Sequence, residues 1–285
     1  MTTTVLIIGG SGQLGAPVVR RLLEDGFRVR LLVRASSPAP AEGPEKVLGD
    51  VDDIDSLRRA MTGCDAVHIN LRGGPRDADY ERMEHRGTAR VAEVAAASGN
   101  VRLSYLSHML AAPDSRSASL RAKSSAEHAI AASGVPYTIF RPTYFMETLP
   151  RHIRGQRATV LGRQRHSFHM LAAENFAALV SRALSTDRAM DQILTVYGPE
   201  AYTIPAALRI YCDWCAPGVT VVSRPLWLMT ALDRTVLRGS LGDTIPLMRA
   251  LQDLGERGDR SEAVRLLGPA TTNLADWCSR RAAAT

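Results

Sequence analysis

The sequence predicts an α/β fold: a doubly wound parallel sheet with a smaller, mostly helical C-terminal lobe. In the first half of the chain, short β-branched segments alternate with segments of helical periodicity, which is the pattern of successive βαβ units. The first strand and the first helix are joined by a glycine-rich turn over residues 9–15. Beyond Thr143 the alternation loosens and helical periodicity predominates, which indicates the second lobe.

The alternating segments define the strands and helices of the sheet domain. The strands are short and apolar: residues 4–8, 28–33, 46–48, 66–71, 102–106, 137–141 and 193–197. The helices between them have a helical apolar period, and several end at glycine: residues 17–26, 54–61, 80–98, 120–133 and 172–184. The lobe would contain a short strand at 219–222 and these helices: residues 203–215, 226–237, 244–254 and 274–281.

The two units are expected to interleave along the chain, because no Gly- or Ser-rich linker and no internal repeat separates them. A dinucleotide-binding domain would comprise residues 1–142 and about 166–199. A substrate-binding lobe would comprise about 143–165 and 200–285. Parallel βαβ units bind their ligand at the carboxyl ends of the strands, so the site should lie at that edge.

The composition is that of a water-soluble chain. Of its 285 residues, 45% are hydrophobic and 22% are charged, and no apolar run approaches the roughly 18 residues of a membrane span. The first strand begins at Thr4, which leaves no room for a signal peptide, and four cysteines do not make a disulfide framework. We therefore expect a cytoplasmic protein with no membrane association.

The glycine-rich turn is the strongest functional signal. It consists of Gly9, Gly10, Ser11, Gly12, Gln13, Leu14 and Gly15, with the spacing G-x-x-G-x-x-G. Glycines let the backbone turn tightly and approach a pyrophosphate, and free N–H groups at the start of the following helix attract its negative charge. The context of strand, turn and helix predicts a nicotinamide dinucleotide site. The alternative is a tight turn that binds nothing.

The second strand ends at Arg34, where enzymes that use NAD normally carry an acidic residue for the ribose 2′-hydroxyl. No Asp or Glu occurs from Arg28 through Ala41. A guanidinium suits a 2′-phosphate, because its planar fork can hold two phosphate oxygens. Ser36 and Ser37 could add hydroxyl donors. The sequence thus favours NADP over NAD; the alternative is that Arg34 is a solvated charge at a strand end.

The net charge of +6 includes a basic stretch without acidic residues. Its members are Arg151, His152, Arg154, Arg157, Arg163, Arg165 and His166. A positive patch could hold an acidic substrate or nucleic acid, but no aromatic side chains are interleaved. A solvated loop or hairpin is favoured, and nucleic-acid binding is not expected.

Three other patterns have ordinary structural explanations. Cys212 and Cys215 lie on one predicted helix with no second pair nearby, so we interpret them as buried thiols and predict no metal site. His166 and His169 have no carboxylate or cysteine partner in sequence. An apolar stripe is predicted to be lobe core, or else a wall of the substrate pocket or a homodimer contact: Leu226, Met229, Leu232, Val236 and Leu237.

Several segments together point to a family. They are the glycine turn and residues 32–34, 48–50, 56–67, 123–127, 137–142, 198–200 and 271–277. With these segments the chain resembles the NmrA-like, atypical branch of the short-chain dehydrogenase/reductase superfamily over nearly its whole length. The resemblance implies a Rossmann fold. It leaves the substrate open, because the branch mixes quinone, dye and isoflavone-type reductases with redox-sensing regulators that catalyse nothing.

The resemblance also implies roles for residues that follow the strands. They would lie beside the adenine (Asp50 and Val51), beside the nicotinamide ribose and phosphates (Asn70, Leu71 and Arg72), and beside the nicotinamide and substrate (Pro142, Thr143, Tyr144 and Phe145). In each case the position in this sequence matches the position in the family pattern.

The catalytic residues implied by the resemblance depart from the superfamily in one respect. Most members have Tyr-x-x-x-Lys, but here Ser119 precedes Lys123, and a serine hydroxyl titrates too high to replace a phenol as acid. Lys123 would bind the nicotinamide ribose, transfer a proton, or do both. Ser107 occupies the position of the superfamily's catalytic serine. His108 could protonate a carbonyl, or serve only as a loop hydrogen-bond donor.

The combined expectation is an NADP(H)-dependent reductase of a small aromatic, quinone-like or enone-like molecule. Sugar epimerases and dehydratases are disfavoured, because their chemistry needs the missing tyrosine. The runner-up is a non-catalytic NADP(H)-binding redox sensor of the NmrA type. A third alternative is an interaction or assembly factor that has kept the fold and lost the chemistry.

The position of Arg34 generates the first testable prediction. Arg34→Ala should weaken NADPH binding but not NADH binding. Loss of a charge-assisted contact to phosphate costs roughly 1.5–3 kcal/mol, which is about 10- to 150-fold in affinity. Calorimetric titration of wild type and variant with both cofactors measures the ratio. An unchanged NADPH-to-NADH ratio would show that Arg34 does not select the cofactor.

Overall fold

The predicted doubly wound parallel sheet is confirmed in the computed structural model, which describes residues 2–35, 43–74 and 76–283. The strands of the central sheet are β1 (Thr4–Ile8), β2 (Arg28–Val33), β3 (Glu45–Leu48), β4 (Ala66–Ile69), β5 (Arg102–Leu106), β6 (Tyr137–Pro142) and, later in the chain, β11 (Gln192–Val196). Within the described residues their order is β11-β6-β5-β4-β1-β2-β3, and every neighbouring pair is parallel. The order reverses between β1 and β4, which is the switch point where such sheets bind ligands.

Helices cover both faces of this sheet. They are α1 (Gly15–Glu24), α2 (Ile54–Met61), α3 (Asp77–Tyr80), α4 (Gly87–Ser98), α5 (Ala118–Ala132) and α6 (Ala173–Leu184). Side chains of β1 alternate between the two apolar layers: Val5 and Ile7 pack with α1 and α6, whereas Leu6 and Ile8 pack with α2, α4 and α5. The strand is therefore buried on both faces, as its continuous apolar sequence requires.

The long helix expected over residues 80–98 has a different construction. It begins at Asp77 with the single turn α3, continues through a π-helical segment, Glu81–Arg86, and becomes α-helical only in α4. A π-helical turn includes one additional residue, so it changes which side chains face a neighbouring helix. Sequence periodicity predicted a helix here but could not predict this irregular turn.

The C-terminal lobe is mostly helical and also contains short strands, of which the sequence predicted only the one near residues 219–222. Its helices are α7 (Ile204–Cys215), α8 (Leu226–Thr235), α9 (Thr244–Leu254), α10 (Ser261–Leu267) and α11 (Leu274–Ala283). The short strands are β7 (Tyr144–Phe145), β8 (Ile153–Arg154), β9 (Arg157–Leu161), β10 (Ser167–Leu171), β12 (Ala201–Thr203) and β13 (Thr220–Arg224). Two small sheets form within the described part of the chain, in the orders β12-β10-β7 and β13-β9-β8.

Two further sequence predictions can be compared with the lobe. Residues 153–161 of the basic stretch form the antiparallel hairpin β8–β9, as expected, and Arg163, Arg165 and His166 follow it. The prediction of lobe core for the whole apolar stripe was wrong. Leu226 is buried, but Leu232 and Leu237 are exposed, and Val236 is 67% exposed. The helix α8 ends at Thr235, so Val236 and Leu237 fall outside it. A role of the stripe as a wall of the substrate pocket or as a homodimer contact stays a prediction.

The predicted interpretation of the cysteines as packing residues agrees with the structure. Cys212 is buried in the lobe core, and Cys215 is a free, half-buried thiol on the same helix. Across the ranges that the structure describes, no helix is both long and apolar enough to cross a membrane.

Paired glycine substitutions test how closely β1 and β4 approach. Gly9 and Gly26 both have positive φ, +86° and +83°, but a Cβ on Gly9 would lie 2.1 Å from the Asn70 carbonyl oxygen, whereas Gly26 has open space. Gly26→Ala should therefore cost only the conformational strain of about 1–2 kcal/mol. Gly9→Ala should cost roughly 1–3 kcal/mol more, because a backbone carbonyl must move. Urea unfolding of both variants measures the difference, and equal losses would contradict the close approach.

Candidate active site

The glycine turn lies at the carboxyl edge of the sheet, at the switch point. A Cβ on Gly15 would lie 2.2 Å from the Gly9 carbonyl oxygen, so position 15 requires glycine for its own steric reason, as position 9 does. Helix α1 starts after Leu14 with no cap from any described side chain and with no acidic residue in its first turn. The turn therefore offers uncapped N–H groups to an anion, and its backbone has room for close approach. These features fit a dinucleotide pyrophosphate.

Gln13 connects the turn to the rest of the molecule. Its Nε2 donates to the backbone oxygen of Glu147, at 2.7 Å, in a 3₁₀-helix over Met146–His152. The buried carboxyl group of Glu147 in turn accepts from Ala173 N at 2.9 Å, at the start of α6, and from Trp277 Nε1 at 3.2 Å, in α11. Burial raises the pKa of Glu147. The sequence analysis did not single out this residue.

The residues expected to bind the adenosine part of the cofactor follow β2 and β3, the strands on the far side of β1 from β4. Arg34 is exposed at the end of β2, and its side chain forms no hydrogen bond or ion pair with the described residues. Ser36 and Ser37 lie outside the described residues. The Asp50 carboxylate accepts from Asp52 N at 3.0 Å through Oδ1, and Val51 is buried beside it.

Lys123 points from α5 to the end of β5. Its Nζ donates to the Leu106 carbonyl oxygen at 3.0 Å and lies 3.2 Å from Glu84 Oε2. It also lies 5.5 Å from the centre of the Tyr105 ring. Glu84 comes from the π-helical segment, and its Oε1 accepts from Gly73 N at 2.8 Å, in the loop after β4. A buried carboxylate thus joins the lysine to the loop that follows Asn70 and Leu71.

Ser107 makes a contact that its sequence position does not reveal. Its hydroxyl, buried after β5, donates to Glu127 Oε1 in α5. Glu127 forms a two-pronged ion pair with Arg141, in which Arg141 Nε donates to Oε1 at 2.8 Å. The hydroxyl proton of Ser107 is therefore directed to a carboxylate. In this arrangement the Ser107 oxygen can accept a hydrogen bond from a ligand but does not donate one.

His108 is held neutral. Its Nδ1 accepts from Leu110 N at 3.0 Å, so the ring proton lies on Nε2. Burial and, to a lesser extent, the positive charge of Lys123 lower the pKa of His108 to about 3. A neutral imidazole of this kind can donate a hydrogen bond from Nε2 at neutral pH, but it is not a protonated acid.

The start of α5 is bound by a residue of the lobe. Asp243, directly before α9, accepts from Ser117 Oγ at 2.8 Å, from Ala118 N at 2.6 Å and from Ser119 N at 3.2 Å. The Ser119 hydroxyl lies 3.0 Å from Ser117 Oγ. The position of the missing tyrosine is thus part of a capping arrangement, in which a buried carboxylate satisfies the free N–H groups of the helix.

The residues after β6 turn their polar atoms into the lobe. Thr143, which follows Pro142, donates through Oγ1 to the His169 carbonyl oxygen at 2.6 Å, and Tyr144 Oη lies 2.9 Å from His152 Nε2. Burial raises the pKa of Tyr144 to about 12. Both hydroxyls are therefore engaged by other residues of the chain, and the expected place of these side chains beside the nicotinamide stays a prediction.

The structure brings the expected residues to one edge of the sheet and adds four buried carboxyl groups that the sequence analysis missed. These are Glu84, Glu127, Glu147 and Asp243. One sequence signal existed: Glu127 follows Lys123 by four residues, a spacing that favours an ion pair on a helix. The structure instead pairs Glu127 with Arg141 and Lys123 with Glu84.

Comparison with known proteins gives consistent matches. A sequence model of a family described as NAD(P)H-binding matches residues 9–187. A (4-alkanoyl-5-oxo-2,5-dihydrofuran-3-yl)methyl phosphate reductase from Streptomyces griseus is 32% identical over 205 residues, which cover 70% of this chain and 69% of that protein. An NAD(P)H azoreductase from Xenophilus azovorans is 27% identical over 205 residues, covering 69% of this chain and 68% of that protein.

A solved structure supports the fold. An NADPH-dependent quinone oxidoreductase from Escherichia coli superposes with a TM-score of 0.70 at 20% identity, covering 97% of this chain and 98% of that chain. At this level of identity the likeness concerns the fold alone.

Removing the Asp243 carboxylate should destabilise the protein. Asp243→Ala leaves the backbone N–H groups of Ala118 and Ser119 without their acceptor, and we expect a loss of roughly 2–3 kcal/mol in the free energy of unfolding. Asp253→Ala, an exposed carboxylate on the same helix α9, is the control and should change stability by less than about 0.5 kcal/mol. Chemical denaturation compares the two. Similar losses would mean that the cap contributes nothing specific.

Proposed function

We propose that this chain, which belongs to the NAD(P)H-binding family, is an NADP(H)-dependent reductase of the atypical short-chain dehydrogenase/reductase type. Its substrate is a small aromatic, quinone-like or enone-like molecule. Two proteins to which it is similar are named as a reductase of a furan-methyl phosphate and as an azoreductase.

The observation that carries the proposal is the position of Lys123 relative to the glycine turn. The lysine lies at the end of β5 and the turn at the end of β1, so both face the same edge of a parallel sheet. An ammonium has three N–H donors. The Leu106 carbonyl oxygen accepts one of them, and Glu84 Oε2 lies 3.2 Å from Nζ as an ion-pair partner without accepting a hydrogen bond, so N–H groups remain for a ligand.

NADPH, when bound, supplies the hydride. The N–H groups at the start of α1 hold its pyrophosphate, with Gly9, Ser11, Gly12 and Gly15 as the cradle, and Arg34 holds its 2′-phosphate. Lys123 binds the nicotinamide ribose and stabilises the negative charge that develops on a substrate oxygen. The neutral Nε2–H of His108 is a second donor. Ser107 contributes as an acceptor.

In this proposal the two units bind different ligands. Residues 1–142 and about 166–199 bind the dinucleotide, whereas about 143–165 and 200–285 bind the substrate. The contact of Gln13 with Glu147 and the cap of α5 by Asp243 support the division, since each links a cofactor element to a lobe element. Both links lie at the carboxyl edge of the sheet, where the proposed cofactor and substrate would meet.

Turnover separates this proposal from a non-catalytic redox sensor. Purified protein is incubated with NADPH and a panel of quinones, triphenylmethane dyes, azo compounds and enones, and oxidation is followed at the nicotinamide absorbance. Acceptor-dependent oxidation supports the reductase. Tight binding of both NADPH and NADP⁺ without turnover of any acceptor would support the sensor instead.

Lys123→Met tests the role of the lysine. Removal of one preorganised donor typically lowers turnover about 10²–10³-fold, and NADPH binding should weaken as well if the ribose contact exists. Lys46→Met is the matched control, because Lys46 is the other lysine of the chain and lies exposed on β3. Ser119→Ala should have little effect on turnover. Loss of activity in Ser119→Ala with activity kept in Lys123→Met would contradict these roles.

A further inference from the structure

Lysine is used sparingly in this chain. Only Lys46 and Lys123 occur among its 35 basic residues, and the rest are arginines. Lys46 is exposed, whereas the side chain of Lys123 is only 15% exposed. An ammonium that is removed from water needs a partner of opposite charge with good geometry.

Glu84 is the carboxylate that contacts Lys123. The Glu84 side chain is 3% exposed, and its Oε2 lies 3.2 Å from Lys123 Nζ. Its other oxygen, Oε1, accepts from Gly73 N at 2.8 Å. One buried carboxylate thus contacts both the lysine and the backbone of the loop after β4, and these are two walls of the proposed nicotinamide site.

Other buried carboxylates near α5 are engaged elsewhere. Glu127 is paired with Arg141 and accepts from Ser107, and Asp243 accepts from the start of α5. Among the described residues, Glu84 is the one acidic group in an ion pair with Lys123. Its place is in the π-helical segment Glu81–Arg86, which packs against α5. Single π-helical turns inside longer helices occur frequently at functional sites.

We propose that Glu84 is the positioning residue for Lys123. Its charge holds the ammonium beside the Leu106 carbonyl, where N–H groups remain for a ligand, and its Oε1 fixes the backbone at Gly73. This proposal rests on the proposed function, because it assigns the group that makes the same lysine effective. Glu84 itself does not touch substrate or cofactor; it acts through Lys123.

The first experiment is Glu84→Gln, with Glu81→Gln as the control. The glutamine keeps an oxygen for Gly73 N but removes the charge that faces Lys123. NADPH affinity should fall about tenfold, which corresponds to about 1.4 kcal/mol. Glu81 lies in the same π-helical segment, but its exposed carboxylate pairs with His85 and Arg86, so its replacement should leave affinity unchanged. Equal NADPH affinity in wild type and Glu84→Gln would overturn the proposal.

A double-mutant cycle tests whether Glu84 acts through Lys123. In the Lys123→Met background, Glu84→Gln should change NADPH affinity less than twofold, because the group that it positions is already gone. Independent, multiplying effects would indicate a general structural role and would overturn the proposal. The double variant buries neither charge of the pair, so it provides a folded comparison even where Glu84→Gln alone folds poorly.

A spectroscopic measurement makes the outcome independent of catalysis. Protein labelled with ε-¹³C lysine gives two lysine resonances, and Lys46 serves as the internal reference. In Glu84→Gln the Lys123 resonance should move towards that of Lys46, whereas in Glu81→Gln neither should move. If the wild type neither binds nor oxidises NADPH, the proposed function fails, yet the resonances still decide whether Glu84 holds Lys123. An unmoved Lys123 resonance would overturn the pairing.

Discussion

The close approach of Gly9 to the carbonyl oxygen of Asn70 sets the geometry of the whole carboxyl edge. These two residues follow β1 and β4, the strands between which the sheet order reverses. Because the strands are parallel and paired in register, the ends of β5 and β6 reach the same edge. The glycine turn, the loop after Asn70, Lys123 and Ser107 are therefore neighbours as a consequence of strand pairing. No side chain at position 9 is compatible with that approach.

Buried carboxylates then fix what strand pairing brings together. Glu84 contacts Lys123, Glu127 contacts Ser107 and Arg141, and Asp243 contacts the start of α5. Each joins two elements that are separate in sequence: Glu84 through an ion pair and a backbone N–H, Glu127 through a hydroxyl and a guanidinium, and Asp243 through a hydroxyl and backbone N–H groups. A carboxylate buried in this way is costly to leave without its partner, so the arrangement is held before any ligand arrives.

Sequence patterns predicted the regular elements well, because their signals are local. The strands of the central sheet and most helices agree with the structure within a few residues, since apolar periodicity and glycine stops depend only on nearby residues. The two-residue strands β7 and β8 and the short helix α10 carry too few residues to show a period. The π-helical segment also escaped prediction, because its residues have ordinary helical composition.

The positions of two proposed site residues were predicted from the sequence, but their contacts were not. Sequence placed Ser107 and Lys123 at the carboxyl edge, which depends on topology, and the structure agrees. It could not assign their partners, because an acidic residue such as Glu84 in a helix ordinarily faces solvent, and only tertiary packing buries it. For the same reason the exposure of Val236 on the predicted apolar stripe was not foreseen.

The contact of Gln13 with the Glu147 backbone has a consequence for the last helix of the chain. Glu147 also receives the indole N–H of Trp277, so the glycine turn and α11 are connected through one residue of a 3₁₀-helix. Thermodynamic linkage is reciprocal: a ligand that stabilises the turn in this arrangement also stabilises the seating of α11, and undocking of α11 weakens the ligand's site by the same factor. The tail of the polypeptide thereby takes part in the occupancy of a site formed at its beginning.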